Sequence, residues 1–139
     1  MELGKGGMRM NLLLVDDEAP SLRELEDAVA AVLPGEQLHS FTKARAAMEY
    51  AETAPVDIAF LDINMRFMDG VTMARKLIEL YPSVNIVFCT VDYSYAADAW
   101  QVYCSDYLLK PITPEKIQKA VEHLRYPPTS FQVEREKSE

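Results

Sequence analysis

Residues 11–18 read NLLLVDDE: five residues of strand character run without a break into three acids. A continuous apolar run of this kind fits a strand buried on both faces, because a half-exposed strand would alternate. The form recurs downstream. Val56–Leu61 ends at Asp62, Val84–Cys89 ends at Thr90, and the shorter Asp106–Leu109 ends at Lys110-Pro111. Helical patterns fill the intervals. From Pro20 to Leu33 the apolar residues Leu22, Leu25, Val29, Val32 and Leu33 keep helical spacing until Pro34-Gly35 stops them. Gln37–Phe41 alternates weakly and reads as a strand near a sheet edge. Thr42 is placed to cap a helix over Lys43–Glu52, whose Ala44, Ala47, Met48 and Ala51 share a face. Further helices are predicted over Val71–Leu80, before Pro82, and over Tyr95–Val102. Thr113-Pro114-Glu115 opens a last helix that runs to about Arg125.

Strand and helix thus alternate five times. The sequence predicts an α/β fold: a parallel five-stranded sheet of order 2-1-3-4-5 with helices on both faces, the flavodoxin-like doubly wound (βα)5 three-layer sandwich. The 139 residues suit one such domain. It is expected to span 10–125, with 1–9 a flexible leader and 126–139, which contains Pro127-Pro128, a linker-like tail. A content of 49% hydrophobic and 26% charged residues argues against a disordered or fibrous chain. No apolar run approaches the ~20 residues of a membrane helix, so no membrane contact is expected. The start MELGKGGMRM has no secretory pattern, and Cys89 and Cys104 lack CxxC spacing and read as free thiols; a cytoplasmic chain is expected. Lys and Arg total 14 against 22 Asp and Glu, for a net charge of -8. With no basic stripe to neutralise phosphates, no nucleic acid is expected to bind this chain.

Doubly wound sheets bind ligands outside the carboxyl ends of their strands. Those ends here carry Asp16-Asp17-Glu18, Asp62, Thr90 and Lys110. Each alone reads as an ordinary turn or cap residue, and the signal is their joint placement at four strand ends. Clustered carboxylates repel unless they share a proton or cation, and a hard divalent ion such as Mg2+ suits them. A carboxylate beside such an ion can attack phosphorus while a lysine and a hydroxyl hold phosphoryl oxygens.

The segments LLLVDDE, AFLDINM with Gly70 downstream, FCT and DYLLKP, in that order and spacing, resemble the receiver domain of two-component response regulators over about Met10 to Arg125. The resemblance implies that Asp62 is the phosphoacceptor, supplied by a sensor histidine kinase. It implies Mg2+ (or Mn2+) held by Asp16, Asp17, Asp62 and the backbone carbonyl of Asn64, with Asp17 a direct ligand. Lys110 would contact the phosphoryl group, and Thr90 and Tyr107 would form the switch, with Tyr107 turning inward as Thr90 moves. The Lys110-Pro111 bond would be cis. The face of the fourth helix, fifth strand and fifth helix, with Tyr93, Tyr95, Trp100, Tyr103 and Tyr107, would change its partner and is a candidate homodimer surface; for Trp100 a place in the core is an equal reading. One departure bears on the lifetime of the phosphorylated state: Arg66 follows Met65 where the family often has Met-Pro. The stretch VDYSYAADAWQVYCSDYLLKPI resembles receivers whose effector is a LytTR-type DNA-binding domain or the SARP-like group, and EHLRYPP resembles the junction in the latter. A C-terminal effector that controls transcription is therefore expected in a longer protein.

Such a chain is not a dedicated enzyme but a phosphoacceptor that assists its own phosphorylation and dephosphorylation. The alternative reading is an interaction module of the same fold that no longer depends on phosphate, and the intact set of pocket residues counts against it. An aspartyl phosphatase needs a second acid two residues after the nucleophile, where Asn64 stands. No Gly-rich flavin loop follows Val15, no P-loop is present, and His39 and His123 lack zinc spacing.

Overall fold

The apolar runs form the centre of a parallel sheet. A computed structural model describes residues 9–127. The elements are β1 (Asn11–Val15), α1 (Ala19–Val32), β2 (Gln37–Phe41), α2 (Ala44–Ala51), β3 (Ile58–Leu61), α3 (Gly70–Leu80), β4 (Asn85–Thr90), α4 (Ala96–Gln101), β5 (Asp106–Leu109) and α5 (Pro114–Glu122). The strand order is β2-β1-β3-β4-β5 and every pairing is parallel. This is the predicted doubly wound order.

The runs lack alternation because each strand feeds two cores. Leu13, Val15, Ala59, Leu61, Ile86 and Phe88 pack with Ala47, Ala51, Ala74, Leu77 and Ala99 from α2, α3 and α4. Their neighbours Leu12, Leu14, Ile58, Phe60, Val87 and Cys89 pack on the other face with Leu22, Leu25, Val29, Ile117 and Ala120 from α1 and α5. Leu12, Leu13 and Leu14 are all at most 1% exposed. Each such side chain contributes about 1.5–3 kcal/mol of burial, so polar replacements on either face of β1 are excluded.

Several boundaries differ from the sequence reading. α2 starts at Ala44 with Lys43 as its cap residue and no side-chain cap bond, so Thr42 does not cap it. β3 starts at Ile58, and Asp57 just ahead of it ties to both flanking strands: its N–H donates to the Asn11 carbonyl at 2.9 Å, its carbonyl accepts the Asn85 N–H at 2.9 Å, and its Oδ2 accepts the Asn11 N–H at 2.7 Å. Trp100 is 50% exposed, which removes it from the core. The expected leader and tail fall largely on 1–8 and 128–139, outside the described residues.

α5 stops at Glu122 rather than near Arg125, and a buried polar network explains what takes over. Asn85, 2% exposed at the start of β4, uses its whole amide. Its Oδ1 accepts from Ser105 Oγ at 3.0 Å and from the Tyr126 N–H at 2.8 Å. Its Nδ2 donates to the Tyr126 carbonyl at 2.9 Å and the Asp57 carbonyl at 3.2 Å. Ser105 Oγ in turn accepts the Arg125 N–H at 3.0 Å. Two donors and two acceptor bonds satisfy an amide fully, so the outgoing backbone at 125–126 is held by side chains, not by a further helical turn. Asn85→Ala removes the side-chain partners of the Tyr126 N–H and carbonyl, while the Asp57 carbonyl keeps the Asn85 N–H and Ser105 Oγ keeps the Arg125 N–H. It should cost about 2–4 kcal/mol in urea unfolding, whereas replacing a solvated surface amide should cost almost nothing.

Candidate functional site

The site is built at the carboxyl ends of β1, β3, β4 and β5. Asp16 directly follows β1 and its N–H donates to the Phe41 carbonyl at 3.2 Å; Asp62 directly follows β3 and its N–H donates to the Val15 carbonyl at 3.0 Å. Adjacent parallel strands thereby bring the two acids together. Lys110 follows β5, and its N–H donates to the carbonyl of Thr90, the last residue of β4, at 2.7 Å. Lys110 Nζ reaches across to Asp16 Oδ2 at 2.7 Å and Asp62 Oδ2 at 3.3 Å. Asp16 is 2% and Asp62 7% exposed. One carboxylate oxygen from each of Asp16, Asp17 and Asp62 lies within 4.8 Å of the others. Thr90 is 1% exposed, and its Oγ1 is buried with no hydrogen-bond partner. Asn64 is an exposed loop residue two positions past Asp62.

Two loops set these groups. After Asp62 the chain folds back so that the Met65 and Gly70 N–H groups donate to the Ile63 carbonyl at 3.1 and 2.8 Å. A Cβ on Gly70 would collide with the Asp62 carbonyl and stand 2.8 Å from Ile63 Cα, so the close return of α3 onto the site requires glycine. Asp69 caps α3, its Oδ1 accepting the Thr72 N–H at 2.9 Å. After Lys110 the peptide bond to Pro111 is cis. Lys116 Nζ donates to the Leu109 and Pro111 carbonyls at 2.7 and 3.0 Å and so braces the loop that carries Lys110. Sequence reasoning missed Lys116; its only signal was a lysine in the first turn of a helix, where cations are otherwise disfavoured.

Burial pushes the Asp62 carboxyl above the ordinary carboxylate value, and the Asp16 charge adds to this; Lys110 and the Asn64 backbone oppose it. For Lys110 burial acts downward, yet its hydrogen bond to Asp16 and the charges of both acids hold it above the ordinary lysine value. The ammonium therefore stays charged. Cys89, beneath the site, is pushed upward by burial, and burial pushes Cys104 up to about 12, so both remain thiols at neutral pH. The Tyr107 ring is 7% exposed, stacks on Tyr93 with centroids 5.7 Å apart, and donates its hydroxyl to the Asp92 carbonyl at 2.8 Å. The expected inward turn of this ring meets a ring already buried. Tyr93 and Tyr103, at 65% and 67% exposed, stay outside.

Three oxygen donors with no soft ligand among them match a hard divalent cation. The unpartnered Thr90 hydroxyl matches a site that receives a further acceptor group. The raised Asp62 value also has a stability consequence. A protonated Asp62 favours the folded state below its unfolded value near 3.8, and this contribution is lost as pH rises through the raised folded value. Asp62→Asn, which never ionises, should therefore stabilise the metal-free protein at pH 7 by on the order of 1 kcal/mol. Thermal melts in chelator should show the gain shrink as pH falls towards about 4.

The response regulator receiver domain model matches residues 12–122. The sensory transduction protein LytT of Enterococcus faecalis is 34% identical over 113 residues, which cover 81% of this chain and 47% of that protein. The positive alginate biosynthesis regulatory protein of Pseudomonas aeruginosa is 32% identical over 120 residues, covering 85% of this chain and 48% of that one. The chain thus spans about half the length of these curated relatives, and LytT is of the kind the LytTR-type resemblance led us to expect. Among solved structures, the response regulatory domain of mrkE from Klebsiella pneumoniae superposes with a TM-score of 0.72 at 28% identity, over 83% of this chain and 94% of that one. The chemotaxis protein CheY4 of Vibrio cholerae gives 0.75 at 22% identity, over 84% and 98%, a likeness that speaks for the fold. Acids at two neighbouring strand ends, a hydroxyl and a lysine at the next two, and a family match over almost the whole described chain lead to one conclusion: this chain belongs to the receiver domains of two-component response regulators.

Proposed function

We propose that this receiver takes a phosphoryl group from a histidine kinase onto Asp62. The observation that carries the reading is the buried Asp62–Lys110–Asp16 bridge with the unpartnered Thr90 hydroxyl beside it in the sheet. An Asp62 carboxylate oxygen attacks phosphorus in line as the bond to the kinase imidazole breaks, and the departing imidazole takes up a proton. Lys110 turns from the two carboxylates to a phosphoryl oxygen, which relieves the charge gathered on Asp62. Thr90 satisfies its hydroxyl on another phosphoryl oxygen. Asp16, Asp17, Asp62 and the Asn64 carbonyl would hold Mg2+ or Mn2+, which screens the charge of the incoming group when bound. The same pocket would then assist loss of the phosphoryl group to water.

The signal leaves through Tyr107. With the ring already inside, the movable part is its hydroxyl, which holds the Asp92 carbonyl in the β4–α4 loop. Motion of Thr90 shifts that loop and with it the α4–β5–α5 face, where Trp100 and Tyr103 stand exposed. Exposed aromatics of this kind suit a homodimer contact. The chain would act in the cytoplasm as the 10–125 receiver of a longer protein, with a linker from 126 and a C-terminal transcriptional effector.

Mass spectrometry after acetyl phosphate and Mg2+ should find one phosphoryl group, lost in Asp62→Asn and formed at least ~10-fold more slowly in Lys110→Ala. Equal labelling of Asp62→Asn would refute the assignment, and no labelling of the intact chain would favour a phosphate-independent interaction module. In sedimentation, phosphorylation should promote dimers of wild type and leave Trp100→Ala largely monomeric, with affinity lowered ~10-fold or more.

A further inference from the structure

Lys110 neutralises two of the three clustered carboxylates, and a different cation serves the third. Asp17 Oδ2 accepts the Arg66 backbone N–H at 3.0 Å and Arg66 Nε at 3.4 Å. The turn that presents Arg66 is tight: the Met68 N–H donates to the Arg66 carbonyl at 2.8 Å, and Phe67 between them takes the left-handed conformation with φ 70°. The backbone bond thus fixes the root of Arg66 against Asp17, while its side chain, 78% exposed, lies along the rim. The Asp17 side chain is 16% exposed and is the most open of the three acids. The pocket's most accessible ligand is therefore the one that carries an internal, detachable positive charge.

We propose that Arg66 is a tethered counter-ion for Asp17 that a divalent cation must displace, so that this one side chain sets how much Mg2+ or Mn2+ is needed to load the pocket. The inference rests on the metal reading given above. A guanidinium on a carboxylate oxygen opposes a metal in two ways. It occupies a lone pair, and it repels a second cation brought to the same group. Because Arg66 is exposed, its displacement into water costs little and its effect is screened by salt. Removing it should tighten metal binding by about two- to fivefold, the range that corresponds to an exposed ion pair.

The experiment is direct titration of the intact chain with Mn2+, free metal being read from its electron paramagnetic resonance signal, together with calorimetry for Mg2+. Arg66→Ala should bind both ions more tightly than wild type, Arg66→Lys should lie close to wild type, and the gap should narrow as NaCl is raised. Asp17→Asn is the control, expected to weaken binding at least ~10-fold. If Asp17→Asn weakens binding but Arg66→Ala binds no more tightly than wild type, the counter-ion role is overturned and the metal pocket stands. If Asp17→Asn binds like wild type, the metal pocket itself fails and the role of Arg66 falls with it. Arg66 lies at the surface and its backbone bond survives truncation, so loss of fold does not confuse the comparison.

Discussion

A single ammonium group lies between two buried carboxylates, and the arrangement of the sheet's working edge depends on it. Lys110 comes from the end of β5, while Asp16 and Asp62 come from the ends of β1 and β3, 94 and 48 residues away in sequence. Without that charge the two acids would face each other in a poorly solvated site, and one would have to stay protonated. With it they can remain charged side by side. The bridge spans β4, so it ties the end of β5 to the middle of the sheet in addition to the β4–β5 ladder.

The core and the site are products of one rule. Each central strand buries both faces along its middle, and polar groups stand only at its ends or one step past them. Val15 and Leu61 are fully buried; Asp16 and Asp62, one step further, are buried too but point their oxygens at Lys110. The pocket inherits its rigidity from the strands and its low polarity from the Leu, Phe and Cys side chains below it. That environment is what raises the Asp62 carboxyl and keeps Cys89 inert.

What could be read from the sequence was whatever a strand end or a strand period encodes. The strand order, the three acids, Thr90 and Lys110 all sit at such places, while the cis Lys110-Pro111 bond was expected only from the family resemblance. What could not be read depends on contacts between distant segments. Asn85 stood inside an apolar run, and nothing local distinguishes an amide that anchors Tyr126 from one that weakens a strand. Thr42 looked like a cap because caps are common before helices, but the chain enters α2 one residue later. Trp100 had the composition of a core residue, and only the packing of Ala99 inward turned it out. Arg66 was visible as a departure from a familiar loop; that it lies on Asp17 is a matter of turn geometry.

The amide of Asn85 lies at the opposite end of β4 from Thr90. The backbone that leaves α5 is therefore docked to the floor of the sheet, and the docking point belongs to β4 and to Ser105 just ahead of β5. A helix that swings while its outgoing chain is pinned elsewhere works as a lever about a fixed fulcrum. Tilting α5 would change the angle at which the polypeptide departs while leaving its point of departure unmoved. The strand that ends in Thr90 also begins at the pinning point, which makes β4 a stiff rod between the acidic pocket at one pole of the domain and the docked backbone of Arg125 and Tyr126 at the other.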